Sequence, residues 1–171
     1  MDQSLKKLTQ GYQRFRAQYT QDQPSIMQQL AQQGQNPEVM IVACSDSRVD
    51  PALILQCNPG DLFIIRNVAN IIPPYEQDTL HHGTSAALEY GIQFLKVKNL
   101  IIMGHSQCGG IQGFINPDLI TPNDFISNWL SLADIPQDSD GDTCAKQSLL
   151  HSYQNCLTFP WIKQRRDQGI L

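Results

Sequence analysis

"MIVACSDSRVDP", residues 40–51, carries an apolar run straight into Cys44, Asp46 and Arg48. With Val39 ahead of it, the run "VMIVA" is short, rich in β-branched residues and free of polar alternation. A strand covered on both faces has this pattern. Ordinary exits from strand to loop favour glycine, asparagine or serine. This exit instead offers a thiol, a carboxylate and a guanidinium, groups that bind metals, hold protons or fix charges.

Two further runs resemble the first: "DLFIIR" at 61–66 and "NLIIM" at 99–103, the latter entering "GHSQCGG". Between them, "TLHHGTSAALEYGIQFLK" (79–96) places Leu80, Ala87, Leu88, Ile92 and Leu95 on one helical stripe. A short helix is expected around 51–56. Residues 3–32 read as helical with a break near Gln23-Pro24, and Leu5, Leu8, Tyr12 and Phe15 form an apolar stripe on the first part. Downstream, "FISNWLSLA", "CAKQSLLHSYQNCL" and "PWIKQRRDQ" read as helices, with "DSDGD" (138–142) as loop. Alternating β and α elements predict an α/β fold whose mainly parallel sheet is flanked by helices. The expectation is one domain over 1–171 with an N-terminal helical arm at 1–34.

Composition narrows the function classes. Hydrophobic residues make up 41% and charged residues 16% of the 171, a globular balance. No apolar run approaches the roughly 20 residues of a membrane span, and the first residues lack a secretory apolar core. A cytoplasmic protein is therefore expected. A formal net charge of −4 without a lysine/arginine run gives no reason to expect nucleic acid. Five cysteines, an odd number, are expected as thiols rather than bridges.

Cys44 follows the first strand; His105 and Cys108 follow the third. Ligands in open α/β sheets sit outside the carboxyl ends of strands, so these three side chains converge if the two strands are neighbours. Two thiolates and an imidazole suit zinc, with a fourth position left for solvent. Two thiolates cancel the charge of the ion, so a carboxylate that orients the nucleophile gains importance. Asp46 offers that acceptor, and Arg48 can hold it ionised. Taken singly, each feature has a plainer reading: a cysteine after a strand is usually a small buried hydrophobe, and an Asp–Arg pair is usually structural. A structural zinc stays open if Asp46 or Cys57 closes the fourth site. Cys57, beside Asn58-Pro59-Gly60, is expected to be buried or inert. His81, His82 and His151 receive no role.

"ACSDSRVDP", "GDLFIIRNVAN" and "GHSQCGG", in this order and spacing, resemble the β-class carbonic anhydrases. So do "GTSAALEYGIQFLKVKNLIIMGHSQCGG" and "LTFPWI". The resemblance implies zinc on Cys44, His105 and Cys108, with Asp46 and Arg48 as catalytic dyad. It implies reversible CO2 hydration to bicarbonate by attack of zinc-bound hydroxide. "GQNPEVM" resembles the plant-like subgroup, in which the aspartate stays off the metal. Gln35, Phe63, Val68, Tyr90 and Gly109 then fall at substrate-binding positions. The resemblance also implies a homodimer or tetramer, with some pocket residues coming from the partner subunit. Family members continue past "LTFPWI" into a further strand, about where Leu171 ends this chain, so assembly and full activity are open to question on this reading. Two alternatives remain: a catalytically impaired zinc-binding homologue or assembly module, and a zinc hydrolase of CS2-like molecules.

Overall fold

The computed structural model describes residues 2–21, 24–78, 80–120, 125–136 and 140–171. Expectations that rest on Gln23, Thr79 and residues 138–139 lie outside them. The chain divides into two compact units, Met1–Asn36 and Pro37–Leu171.

The first unit holds α1 (Gln3–Tyr19) and α2 (Ile26–Gln33). Ser25 starts α2 through a capping box: its hydroxyl accepts from the Gln28 N–H while the Gln28 side chain accepts from the Ser25 N–H. Gly34, at φ +79°, ends the helix in a conformation that costs a side chain energy. In α1, Leu5, Leu8 and Tyr12 are all exposed.

The second unit is built on β1 (Val39–Cys44), β2 (Leu62–Asn67) and β3 (Asn99–Met103). All pairings are parallel and the order is β2-β1-β3. Helices make the crossovers: α3 (Pro51–Ile54), then α4 (Gly83–Glu89), which widens into a π turn at Tyr90–Phe94. Asp50 begins α3 by accepting the N–H groups of Ala52 and Leu53, with Pro51 at the first helical position. After β3 come α5 (Gly109–Ile115), α6 (Phe125–Leu130), α7 (Gly141–Cys156) and α8 (Pro160–Asp167).

The long helix expected over 79–96 begins later, at Gly83. His81 and His82 precede it, and Leu80 is exposed rather than part of the buried stripe. His82 is tied instead to Asp78, Nε2 to Oδ1 at 2.7 Å, which holds the chain out of the helix. Leu88 and Ile92 are buried as the periodicity predicts. The expectation that helices cover all three strands on both faces holds for β1, where Met40 to Ala43 are fully buried. In β2 only Ile65 is buried, and in β3 Ile101 stands 44% exposed. Both strands are sheet edges among the described strands, which an apolar run alone does not reveal.

Two apolar clusters organise this unit. One joins Met40, Val42 and Ile65 to Leu88, Ile92, Phe159 and Ile162. Each such side chain, fully buried, contributes about 1.5–3 kcal/mol relative to exposure. The other gathers Cys44, Ala69, Cys108, Ile111, Leu130 and Cys144 at the carboxyl end of the strands. A close contact lies between α5 and the turn Val68–Asn70: a Cβ on Gly110 would fall 2.8 Å from Val68 Cγ1 and 3.0 Å from Ala69 Cβ. Gly110→Ala is therefore expected to destabilise the protein by ~1–3 kcal/mol through overpacking. Denaturant titration checks this, and an unchanged midpoint would show that the turn yields freely.

Candidate metal centre

The chain leaves β1 towards β2 and returns across it to β3, so its direction switches between β1 and β3. Cys44 ends β1 there, and His105 and Cys108 follow β3 into the same place. The two sulfurs lie 3.9 Å apart, and one donor atom from each of Cys44, His105 and Cys108 falls within 4.8 Å of the others. Two sulfurs each ~2.3 Å from a shared tetrahedral zinc would sit about 3.8 Å apart, so the spacing fits the ion. The imidazole fits as well. His105 Nδ1 lies 2.9 Å from the Ser106 carbonyl oxygen, which can only accept. The proton is therefore on Nδ1, and the Nε2 lone pair is free for a metal. Nε2 is buried and has no hydrogen-bond partner among the described residues.

The two thiols are within hydrogen-bonding distance of each other. Hydrogen bonding from Cys108 drives the Cys44 thiol far below the usual thiol range, while the Cys44 partner and then burial push Cys108 up. Backbone N–H groups of Asp46 and Ala69 also favour the Cys44 thiolate, and those of Ile111 and Gly110 act on Cys108 in the same sense. The surroundings thus favour a thiolate at Cys44, and a divalent cation would favour loss of protons from both thiols.

Asp46 and Arg48 form a two-pronged pair. Arg48 Nη2 reaches Oδ2 at 2.6 Å and Nε reaches Oδ1 at 2.9 Å, with the Arg48 backbone N–H also on Oδ1 at 2.9 Å. These bonds hold the Asp46 carboxyl well below the usual carboxylate range. Asp46 Oδ2 lies 4.0 Å from His105 Nε2, beside the donor group rather than within it. Cys57 accordingly stands apart: its thiol lies 3.8 Å from the Leu55 carbonyl, and it is partly exposed rather than buried.

Sequence reasoning missed three supports. Arg66, paired in register with Ala43, donates to the Cys44 carbonyl at 3.0 Å, the Asp46 carbonyl at 2.7 Å and the Asp50 carboxylate at 2.9 Å. One guanidinium thus shapes the whole exit loop. An arginine closing an apolar strand was the available signal. The turn after β2 carries Ala69 and Asn70 at φ +63° and +48°, and Asn67 Nδ2 closes it on the Ile71 carbonyl at 2.8 Å. Paired asparagines at 67 and 70 hinted at left-handed backbone. The third support is Gln107, whose carbonyl accepts from Arg48 Nη2 at 2.9 Å.

The substrate positions divide. Gly109 opens α5 directly after Cys108, and Val68 starts the turn packed on Gly110. Phe63 pairs with Met40, four residues before Cys44, about 13 Å down the sheet from the thiols. Its ring meets that of Tyr90 at 5.9 Å, and Tyr90 is 46% exposed. Phe63 and Tyr90 therefore do not line the metal centre of their own chain. Gln35 is exposed and belongs to the first unit.

A family model described as carbonic anhydrase matches residues 39–171. β carbonic anhydrase 3 of Arabidopsis thaliana is 33% identical over 177 residues, covering 95% of this chain and 68% of that protein. The same plant's chloroplastic β carbonic anhydrase 5 is 37% identical over 150 residues, covering 80% of this chain and 49% of that protein. The chain thus spans about two-thirds of one relative's length and half of the other's. The solved structure of the β-carbonic anhydrase CcaA aligns with a TM-score of 0.86 at 32% identity, over 99% of this chain and 81% of its own. A sheet exit that gathers two thiols, an imidazole and an arginine-held carboxylate, together with these matches, places the chain in the β class of the carbonic anhydrase family.

Proposed function

We propose that this chain catalyses the reversible hydration of CO2 to bicarbonate and a proton, with zinc held by Cys44 Sγ, His105 Nε2 and Cys108 Sγ. The observation that carries the reading is a three-donor group with a carboxylate beside it that is paired to Arg48. A structural zinc needs a fourth protein ligand. Asp46 is committed to Arg48, and Cys57 lies outside the group. When bound, zinc supplies the Lewis acidity that makes water a nucleophile at neutral pH.

The chain's own residues do the rest. Asp46 Oδ2 accepts a hydrogen bond from the attacking solvent molecule and so turns its lone pair towards CO2. Arg48 keeps Asp46 an acceptor rather than a donor across the neutral and mildly acidic range, since its bonds hold the carboxyl ionised. The arrangement is the open, plant-like one. The Gly109 N–H, at the start of α5, is a donor for a bicarbonate oxygen, and Gln35 is a proposed substrate-binding residue. Phe63 and Tyr90 would wall a partner subunit's pocket, which supports a homodimer or tetramer. The five cysteines form no disulfide among the described residues, in keeping with a reducing compartment, for which we propose the cytoplasm.

Stopped-flow CO2 hydration, run beside metal analysis on the full chain, tests the reading. Expected is one zinc per chain and hydration that disappears on chelation and returns with zinc. One zinc per chain with hydration at the buffer rate would favour the impaired homologue.

A further inference from the structure

Gln107 stands between two of the proposed ligands, His105 and Cys108, in left-handed backbone at φ +52°. A residue with a Cβ adopts that conformation at a cost of roughly 1–2 kcal/mol, so the surroundings must hold it there. Its two peptide groups face different partners. The carbonyl accepts from Arg48 Nη2 at 2.9 Å, the same nitrogen that reaches Asp46 Oδ2. The N–H donates to Asp142 Oδ1 at 3.2 Å, from 35 residues further along the chain.

Asp142 is itself well placed. It lies in the first turn of α7, where Asp140 caps the helix and accepts the Asp142 N–H at 3.0 Å. Helix α7 runs along the loop after β3: a Cβ on Gly104 would fall 3.1 Å from Leu149 Cδ1, and a cavity of about 250 Å3 is lined by Gly104, Ser106, Lys146 and Leu149. Asp142 also borders this cavity, and its bond to Gln107 bridges loop and helix at the end nearest Arg48. The connected path is Asp142 carboxylate, Gln107 N–H, Gln107 carbonyl, Arg48 guanidinium, Asp46 carboxylate.

We propose that Asp142 is a positioning residue for the reaction: by fixing the Gln107 peptide in its left-handed turn, it aims the carbonyl that sets Arg48, and through Arg48 the face of Asp46 turned to the metal centre. The proposal rests on the functional reading above only for its kinetic consequence. The role needs an acceptor at Oδ1, not a charge. An asparagine supplies the same carbonyl oxygen, whereas an alanine supplies none.

The test compares Asp142→Ala with Asp142→Asn in the full chain. The first readout is hydrogen exchange of the Arg48 side-chain Nε–H by 15N NMR, in zinc-loaded and metal-free protein, with the signal identified by its loss in R48K. The second is kcat/KM for CO2 hydration at equal zinc content. In D142A the Arg48 proton should exchange faster and kcat/KM should fall, each by roughly three- to tenfold, the worth of one hydrogen bond. D142N should recover most of both losses. Both variants remove the negative charge from the start of α7, so a helix-dipole role would impair them alike, and that result overturns the proposal. So does an Arg48 exchange rate in D142A equal to the parent's. If Arg48 responds as expected while the parent hydrates no CO2, the positioning role stands and the functional reading falls.

Discussion

Cys108→Ala should leave the purified protein without zinc and reduce CO2 hydration to the buffer rate. The substitution takes one of three donors and keeps two, Cys44 and His105. Loss of an outer-shell partner alone lowers metal affinity about 10- to 100-fold, so loss of a direct sulfur should exceed 100-fold. A second effect works in the same direction. Cys108 is the principal hydrogen-bond partner that favours the Cys44 thiolate, and without it the Cys44 thiol rises towards its ordinary value. The remaining sulfur then has to shed a proton before it can bind. Cys108→Ser separates ligand loss from cavity formation, because it preserves nearly all the volume at a site only 3% exposed. Zinc measured against a competing chelator decides the matter. A full complement of zinc in either variant would remove Cys108 from the ligand set.

Asp46→Asn should do the opposite to the metal: zinc content stays at the parent's level while kcat/KM for CO2 falls on the order of 100-fold, within the range for a positioned acid–base group. The argument is one of hydrogen-bond polarity. Both Asp46 oxygens accept from Arg48, which can only donate. An asparagine must therefore turn its single carbonyl oxygen to the guanidinium and present its NH2 where Oδ2 faced the centre. An acceptor becomes a donor, and the solvent nucleophile is turned the wrong way. Arg48 also loses its counter-charge at a position where its side chain is 59% exposed, so folding should suffer little. Unchanged turnover at full zinc content would show that orientation by Asp46 contributes nothing.

These two positions, with His105 and Cys44, were legible in the sequence because each closes or follows an apolar run whose strand character is unmistakable. Their convergence depended on a condition, that β1 and β3 are neighbours, which the parallel pairing of the two strands meets. Interactions that run through the backbone were not legible. Arg66 acts on two carbonyls, and Asp142 acts on one N–H. Neither leaves a mark in residue spacing, because any residue type can present a main-chain group. The exposure of β2 and β3 was hidden for a related reason: edge position belongs to the order of strands in the sheet, not to any strand's composition. Phe63 shows a third kind of limit. Its pocket position is implied by the resemblance alone, and register sets it four residues away from the thiol that ends the neighbouring strand of its own chain.

Register and order also leave β3 bonded to β1 alone among the described strands. Beside it lies a cavity of about 420 Å3 walled by Leu100, Ile102, Leu149 and Ile162. Main-chain pairing acts only at contact, whereas the repulsion between copies that each carry a net −4 reaches about 8 Å at physiological ionic strength. A modest negative charge, unremarked for any part in the chemistry, thereby becomes a colloidal safeguard. Salt that shortens its reach is expected to let two exposed β3 edges approach to pairing distance.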